Sequence, residues 1–476
     1  MAAASKRTGK HGSVHCGPGT ASGRTMKRYV VILSTLLLSL FASCSVFRMF
    51  EERDDFIKVR GTQFLHKGTP YYFVGANLWY GCYLGSSGES GDRPRLLREL
   101  DSLKALGIEN LRVLGSSENS YMRRAVKPSI QSSPGVVDDT LLQGLDFLLA
   151  ELANRHIRAV IYLNNYWEWS GGMTQYNVWT GKDPVDPEDT TKGWGAFMEF
   201  SASFYANRQA NELFRNYVYK VVTRKNSVND RSYREDPTIM AWQLANEPRP
   251  GKLGPVAQEN LPAYFRWIDQ TAFYIHSLDT NHLVSSGSEG TTGSLLSPDN
   301  FLQAHQSRHI DYLTMHVWPF NWGWFDPQRI EKTFPTTESN SLNYISSHLA
   351  LARSLNKPIV MEEFGLGRDG GKILPGTPTT ARDRFYSLVL QTVYDSARSG
   401  GPIAGTNFWA WGGEAMGRNP DGYWKRGDPF VGDPPQEPQG MNSVFATDTS
   451  TVRIIRQHAM LMKRLGNVDT LLTSVK

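Results

Sequence analysis

A (β/α)8 TIM barrel, an α/β fold entered here through a short N-terminal β-hairpin, is predicted by three features of the sequence. Eight apolar segments recur along residues 54–476, most of them followed by an amphipathic helical segment, which matches that barrel's count. The segments are apolar almost throughout rather than at alternate positions, as parallel strands covered on both faces must be. No glycine-rich phosphate turn follows the first of them, which disfavours a doubly wound open sheet.

The stretch FIKVRGTQFLHKGTPYYFVGANLWY opens with Gly and Thr-Pro turn signals, so a hairpin leads into the first strand over residues 72–78. A helix follows in RPRLLRELDSLKALG and stops at Gly107. The later strands are IENLRVLG, IRAVIYLNN, TIMAWQLANE, HLVSSGSE, IDYLTMHVW, PIVMEEFG and IAGTNFWAW. Between them the helical period appears over residues 138–156, 260–279, 341–356 and 382–400, and a last helix over residues 451–466 closes the chain. No linker or low-complexity tract interrupts this pattern, so residues 54–476 read as one catalytic-size domain.

Upstream, MKRYVVILSTLLLSLFASCSVF joins Lys27 and Arg28 to an apolar run that ends in small residues. The run is shorter than the roughly 20 residues that span a bilayer as a helix, so residues 26–44 read as an export signal. Its Phe-Ala-Ser-Cys ending resembles a bacterial lipobox, which makes Cys44 the lipidated residue of a cell-surface or periplasmic lipoprotein; simple secretion is the alternative. Residues 1–25 read as a non-structural upstream extension. The net charge of +5 is inflated by this region, where Lys6, Arg7, Lys10, Arg24, Lys27 and Arg28 occur without an acid. The remainder is close to neutral, so nucleic acid is not an expected partner. With three cysteines in no metal-binding spacing, neither a disulfide framework nor a metal centre is expected, and no cofactor is called for. A monomer is expected.

Aromatic residues make up 12% of the chain, much of them in loop-like segments, and aromatic faces with polar edges suit flat, hydroxyl-rich ligands. In a (β/α)8 barrel the site lies at the C-terminal strand ends. Those ends offer Arg112, Asn164, Asn165, Asn246, Glu247, Glu289, His316, Trp318, Glu362, Glu363 and Trp409. Any one of them could be structural, and Glu289 is read as a loop carboxylate of that kind. Two carboxylates facing one another across a barrel mouth are what glycoside hydrolysis requires: one protonates the leaving oxygen and the other attacks or activates water. Strand alternation sends Glu362 and Glu363 to opposite faces without saying which is used.

LANEPR and VMEEFG resemble the acid/base and nucleophile motifs of glycoside hydrolase family 5, a clan A retaining group. The resemblance implies Glu247 as acid/base, Asn246 on the substrate 2-hydroxyl and Glu363 as nucleophile. It further implies Arg112 as the support that keeps Glu363 ionised, His316 beside the sugar, and Trp409 as the floor of the central subsite. Trp318 departs from the tyrosine of many members, since an indole N–H donates a hydrogen bond but cannot accept one. LNNYWEWSGGMTQYNVW, GSEG and WPFNWGWF resemble the β-mannanases of the family, with Trp167 near the sugar and Arg249 on the leaving-group side. The expected activity is that of a retaining endo-β-1,4-mannanase acting on β-mannan, with Glu247 kept protonated by burial and by the charge of Glu363. The rival expectations are an endo-β-1,4-glucanase with the same catalytic frame and a non-catalytic surface glycan-binding lipoprotein. Trp167, Trp169, Trp179, Trp322 and Trp324 are each as readily loop packing as sugar stacking.

Overall fold

Parallel strands form where short β-branched and apolar runs are bounded by polar or turn residues. In the computed structural model these are β1 (Phe73–Asn77), β2 (Asn110–Leu114), β3 (Arg158–Tyr162), β4 (Ile239–Gln243), β5 (Leu283–Ser285), β6 (Leu313–Val317), β7 (Ile359–Phe364) and β8 (Ile403–Phe408). Apart from the first residue of β3, every position in them is buried. The structure describes residues 9–13, 15 and 55–473, with side chains followed to residue 466. The export signal read over residues 26–44, with Cys44, lies outside the described residues.

The strands pair in parallel in the order β5-β4-β3-β2-β1-β8-β7-β6. Only the seam between β5 and β6 lacks a ladder, and it is stitched by the N–H of Asp311 to the carbonyl of Val284 (2.8 Å) and the N–H of His316 to that of Glu289 (3.0 Å). Thr314 Oγ1 adds a bond to the Ser288 carbonyl at 2.6 Å. The sheet therefore closes as the expected barrel.

The predicted hairpin is present, Lys58–Arg60 against Gln63–His66, with Thr69–Pro70 as a short third strand. It carries Phe64 onto a cluster with Phe73, Val160, Met240, Leu283, Val360 and Ala404, residues at the N-terminal ends of six strands. The hairpin thus covers the bottom of the barrel, and the polar strand ends are left at the opposite mouth.

A helix follows each strand: α1 (Arg93–Ala105), α2 (Asp139–Arg155), α3 (Arg208–Val222), α4 (Pro255–Leu278), α5 (Pro298–His305), α6 (Ile330–Leu355), α7 (Thr380–Arg398) and α8 (Thr449–Thr473), with Gly172–Trp179 and Gly193–Ala202 as further helices between β3 and α3. α2 shows why. The Asp138 carboxylate accepts from the N–H groups of Thr140 and Leu141, and Leu141, Leu145, Leu148, Leu149 and Leu152 line one buried face at helical spacing. The sequence reading missed α3 and α5 and began α4 and α6 late. Pro335 reads as a breaker, yet it lies inside α6. α3 was legible, since Ala210, Phe214, Tyr217, Val218, Val221 and Val222 keep a helical period.

Between β8 and α8 runs a long segment that turns back over the mouth, held by a two-stranded parallel pair, Trp411–Gly413 with Val444–Phe445. Two buried carboxylates fix it. Asp433 accepts from the N–H groups of Gly440 (2.8 Å), Asn442 (2.7 Å) and Ser443 (3.1 Å) and from the Ser443 hydroxyl. Asp448 accepts from Arg368 Nη2 at 2.7 and 2.6 Å, from the Phe445 N–H at 3.0 Å and from Arg382 Nη1 at 3.4 Å. Replacing Asp448 by Ala leaves two buried guanidinium groups short of their counter-charge and is expected to lower the unfolding free energy by about 3–5 kcal/mol. Urea denaturation measures this, and a loss below about 1 kcal/mol would show that the backbone carbonyls around Arg368 and Arg382 suffice.

Candidate active site

The chain leaves β4 through Leu244 and Ala245 and turns sharply at Glu247, whose φ of 48° is in the left-handed region. For a residue with a side chain this costs about 1–3 kcal/mol and persists only where the surroundings impose it. They do so here: the Glu247 N–H is held by the carbonyl of Gly287 at 3.0 Å. Gly287 itself has φ +77°, and a Cβ there would lie 1.9 Å from the Ala245 carbonyl oxygen, so no other residue fits. The turn aims the Glu247 carboxylate into the mouth, where Trp167 Nε1 donates to Oε2 at 2.7 Å and His316 Nδ1 lies 2.6 Å from Oε1.

β7 supplies the second carboxylate, and here alternation misleads. Along β6 and β7 the register skips a residue, so that Met315 faces Met361 while His316 faces Glu363. This irregularity brings Glu362 and Glu363 into one cluster rather than onto opposite faces. Glu362 accepts from Gln243 Nε2 at 2.5 Å and sits 3.4 Å from Arg112 Nε and 3.7 Å from His316 Nε2. Glu363 accepts from Arg112 Nη1 and lies 3.3 Å from His316 Nδ1.

Arg112, fully buried on β2, ties the two sides together. Beyond Glu363 it donates to Gln243 Oε1 (2.8 Å), Asn246 Oδ1 (2.8 Å) and Asn77 Oδ1 (3.2 Å), and its guanidinium stacks 4.6 Å from the Tyr162 ring. Asn246 is therefore partly committed, its amide also donating to Asn165 Oδ1 at 3.2 Å.

The proton distribution differs from the sequence expectation. Burial lifts Glu247, but the hydrogen bond and charge of His316, with Arg249 and Trp167 behind them, outweigh it and hold the carboxyl down at about 2. Burial lifts Glu363 to about 7, helped by the charges of Glu247 and Glu362 and opposed by His316 and Arg112. His316 is lowered by burial but raised further by Glu363, Glu247 and Glu362, to about 10. The carboxylates titrate as one set. The direction is that Glu363 holds a proton more readily than Glu247.

Around this centre, Trp409 is buried and meets Trp318 edge to face at 5.9 Å, with Gly365 beneath: a Cβ there would lie 3.0 Å from the Trp318 ring and 3.0 Å from the Trp409 carbonyl. Trp318 thus stands as a packing partner of Trp409. Arg249 lies over Trp167, 4.8 Å from its ring centroid, and its Nε is 2.5 Å from Glu289 Oε1. Glu289, read from sequence as a loop carboxylate, is the buried counter-charge that keeps Arg249 beside Glu247. The other loop tryptophans divide. Trp169 packs on Trp79, and Trp322 and Trp324 pack on each other and on Tyr344, so Trp167 alone of the five hydrogen-bonds a catalytic-candidate carboxylate. Asn77, Gln243 and Glu362 were not assigned roles in advance; their signal was a polar side chain inside an otherwise apolar strand.

Residues 54–467 match the family described as GH family 5 beta-mannosidase-like. The chain belongs to glycoside hydrolase family 5. A family 5 mannosidase from Rhizomucor miehei is 36% identical, with a TM-score of 0.79 over 87% of this chain and 99% of that one. The same enzyme as an E202A variant, in complex with mannosyl-fructose, is 34% identical at a TM-score of 0.79, with the same coverage of both chains. Mannan endo-1,4-beta-mannosidase 1 of Arabidopsis thaliana is 29% identical over 386 residues, 77% of this chain and 84% of that protein. This family 5 chain is thus an enzyme, a glycoside hydrolase on a (β/α)8 barrel.

In this hydrolase, Glu289→Ala leaves Arg249 buried without its counter-charge. A stability loss of about 3–5 kcal/mol in chemical denaturation is the expected outcome, whereas a loss below about 1 kcal/mol would mean that the pair does not hold the loop.

Proposed function

We propose that this enzyme hydrolyses β-1,4-mannosidic bonds within mannan, galactomannan or glucomannan, with retention of configuration through a double displacement. One observation carries the mechanism. An oxygen of Glu247, an oxygen of Glu363 and a ring nitrogen of His316 all lie within 4.8 Å of one another. Retaining glycosidases hold their carboxyls roughly 5–5.5 Å apart, and inverting ones leave about 6.5–9.5 Å for a water. The mannan reading is supported by the relatives named above, whose own names state mannan or mannoside cleavage.

In this reading Glu247 is the acid/base and Glu363 the nucleophile, and His316 reconciles those roles with a Glu247 carboxyl held low and a Glu363 carboxyl held high. Its Nδ1–H passes to Glu247 Oε1 across 2.6 Å, and Nδ1 then accepts the proton of Glu363. The net result is a protonated Glu247, an ionised Glu363 on Arg112 and a restored imidazolium. Glu363 attacks the anomeric carbon as Glu247 protonates the departing oxygen. The neutral glycosyl ester then lets Glu247 take a proton from the incoming water. The export signal and Cys44 extend the proposal to an exported, lipid-anchored enzyme that meets its polysaccharide outside the cytoplasm.

Glu247→Ala and Glu363→Ala are each expected to lower kcat on mannohexaose by at least about a hundredfold; retention of wild-type turnover by either variant would remove it from its role. Activity confined to cellohexaose and lichenan would transfer the assignment to a glucanase. Because the carboxylate pair holds one proton between about 2 and about 7, kcat/KM is expected to fall as pH rises through about 7. A profile flat to about pH 9 would contradict the shared proton.

A further inference from the structure

We propose that Glu168 and Glu437 form a hydroxyl-recognising carboxyl pair that grips the sugar seated at Glu363, and so act as specificity-determining residues of this site. The inference rests on the glycosidase reading above and adds residues to it from two loops not previously connected with the sugar.

Glu168 directly follows Trp167, at the head of the one-turn helix Glu168–Ser170 beyond β3. It is 5% exposed, and its Oε2 is buried without a protein partner. Glu437 stands on the loop that Asp433 braces between β8 and α8, and its Oε2 is likewise shielded and unpartnered. Contacts place the Glu437 loop beside the reacting centre: Trp79, which meets Trp169 at 5.6 Å, donates its Nε1–H to the Gly432 carbonyl at 2.9 Å, a Cβ on Gly432 would lie 2.8 Å from the Ala410 carbonyl oxygen, and one on Gly367, just beyond Glu363, would lie 3.5 Å from that of Met441. Two donors in the same region are also buried without partners, Trp409 Nε1 on the floor and Asn442 Nδ2 on the Glu437 loop.

The contrast within that loop is what points to a ligand. Its structural carboxylates are saturated: Asp433 accepts from Gly440, Asn442 and Ser443, and Asp448 from Arg368, Phe445 and Arg382. A buried polar group left unpaired costs about 1–3 kcal/mol, and folds rarely keep several together without a use for them. The chemistry also selects the ligand. An anion would be repelled by three neighbouring carboxyls. Burial, with the charges of Asp433, Glu363 and Glu168, raises Glu437 well above the ordinary carboxyl range, and burial, with the charges of Glu188 and Asp186, raises Glu168 to about 7, so the two offer both O–H donors and carboxyl acceptors. A sugar hydroxyl, which donates one hydrogen bond and accepts others, is matched to such a pair. Trp409 and Asn442 supply the complementary N–H groups.

The test compares Glu437→Ala, Glu168→Ala and the isosteric Glu437→Gln and Glu168→Gln in the full-length enzyme on mannohexaose. Each Ala variant is expected to raise KM about tenfold or more while kcat changes less. Each Gln variant is expected to recover part of the loss. Because the buried Oε2 of each carboxyl has no protein partner, the thermal midpoint is expected to stay level or rise, where loss of a structural carboxylate would lower it. A KM within about twofold of wild type in both the Ala and the Gln variants would overturn the proposal, whatever happens to the thermal midpoint. If the wild-type enzyme cleaves cellohexaose and not mannohexaose, the mannan reading fails, and the same KM comparison on cellohexaose decides the carboxyl pair independently.

Discussion

The buried guanidinium of Arg112 is the interaction on which the site depends. A cation with no solvent must be surrounded by acceptors, and here they come from three strands: Asn77 on β1, Gln243 and Asn246 at the end of β4, and Glu363 on β7, with Glu362 alongside. Because a planar guanidinium fixes the direction of each donor, it sets the positions of the strand ends relative to one another as well as the charge of the nucleophile candidate. His316 does the corresponding work on the other side, touching Glu247, Glu363 and Glu362 with its two nitrogens. Three acids and two basic groups are thus buried together. Their mutual contacts hold Glu247 down and Glu363 up.

The barrel supplies the rigidity for this arrangement, and the loops supply its selectivity. The hairpin seals the bottom through Phe64, the strands hold Arg112, His316 and the glutamates, and Arg249 is kept in place by Glu289 and Trp167. The segment between β8 and α8 is bound down by Asp433 and Asp448. That investment in ionic and backbone hydrogen bonds is more than a connecting loop needs. It makes sense if the loop must present Glu437 and Asn442 at a defined place over the mouth.

The fold was largely legible, for reasons that can be named. Doubly covered strands are apolar at most positions, and helices such as α2 announce both their cap at Asp138 and their leucine face. Two of the helices that escaped notice or were begun late failed on local rules: α5 is short, and Pro335 signals a break that packing overrides. In the site, Glu247, Glu363, Arg112, His316, Asn246, Arg249 and Trp167 all converge, because polar residues at the ends of buried strands have few other places to go. Glu362 was misjudged, because strict alternation cannot see a register skip that depends on the neighbouring strand.

What the sequence alone determined was the inventory: eight buried strands, a carboxylate at the end of the fourth and a pair of them on the seventh, and one arginine among the apolar residues of the second. These follow from local pattern, since burial and turn chemistry are written in consecutive residues. Only the tertiary structure decided that Glu247, Glu363 and His316 stand together, that Glu289 serves Arg249, and that Glu168 and Glu437 each keep a buried oxygen without a protein partner. Those facts depend on distances between residues far apart in the chain, and no local pattern encodes them.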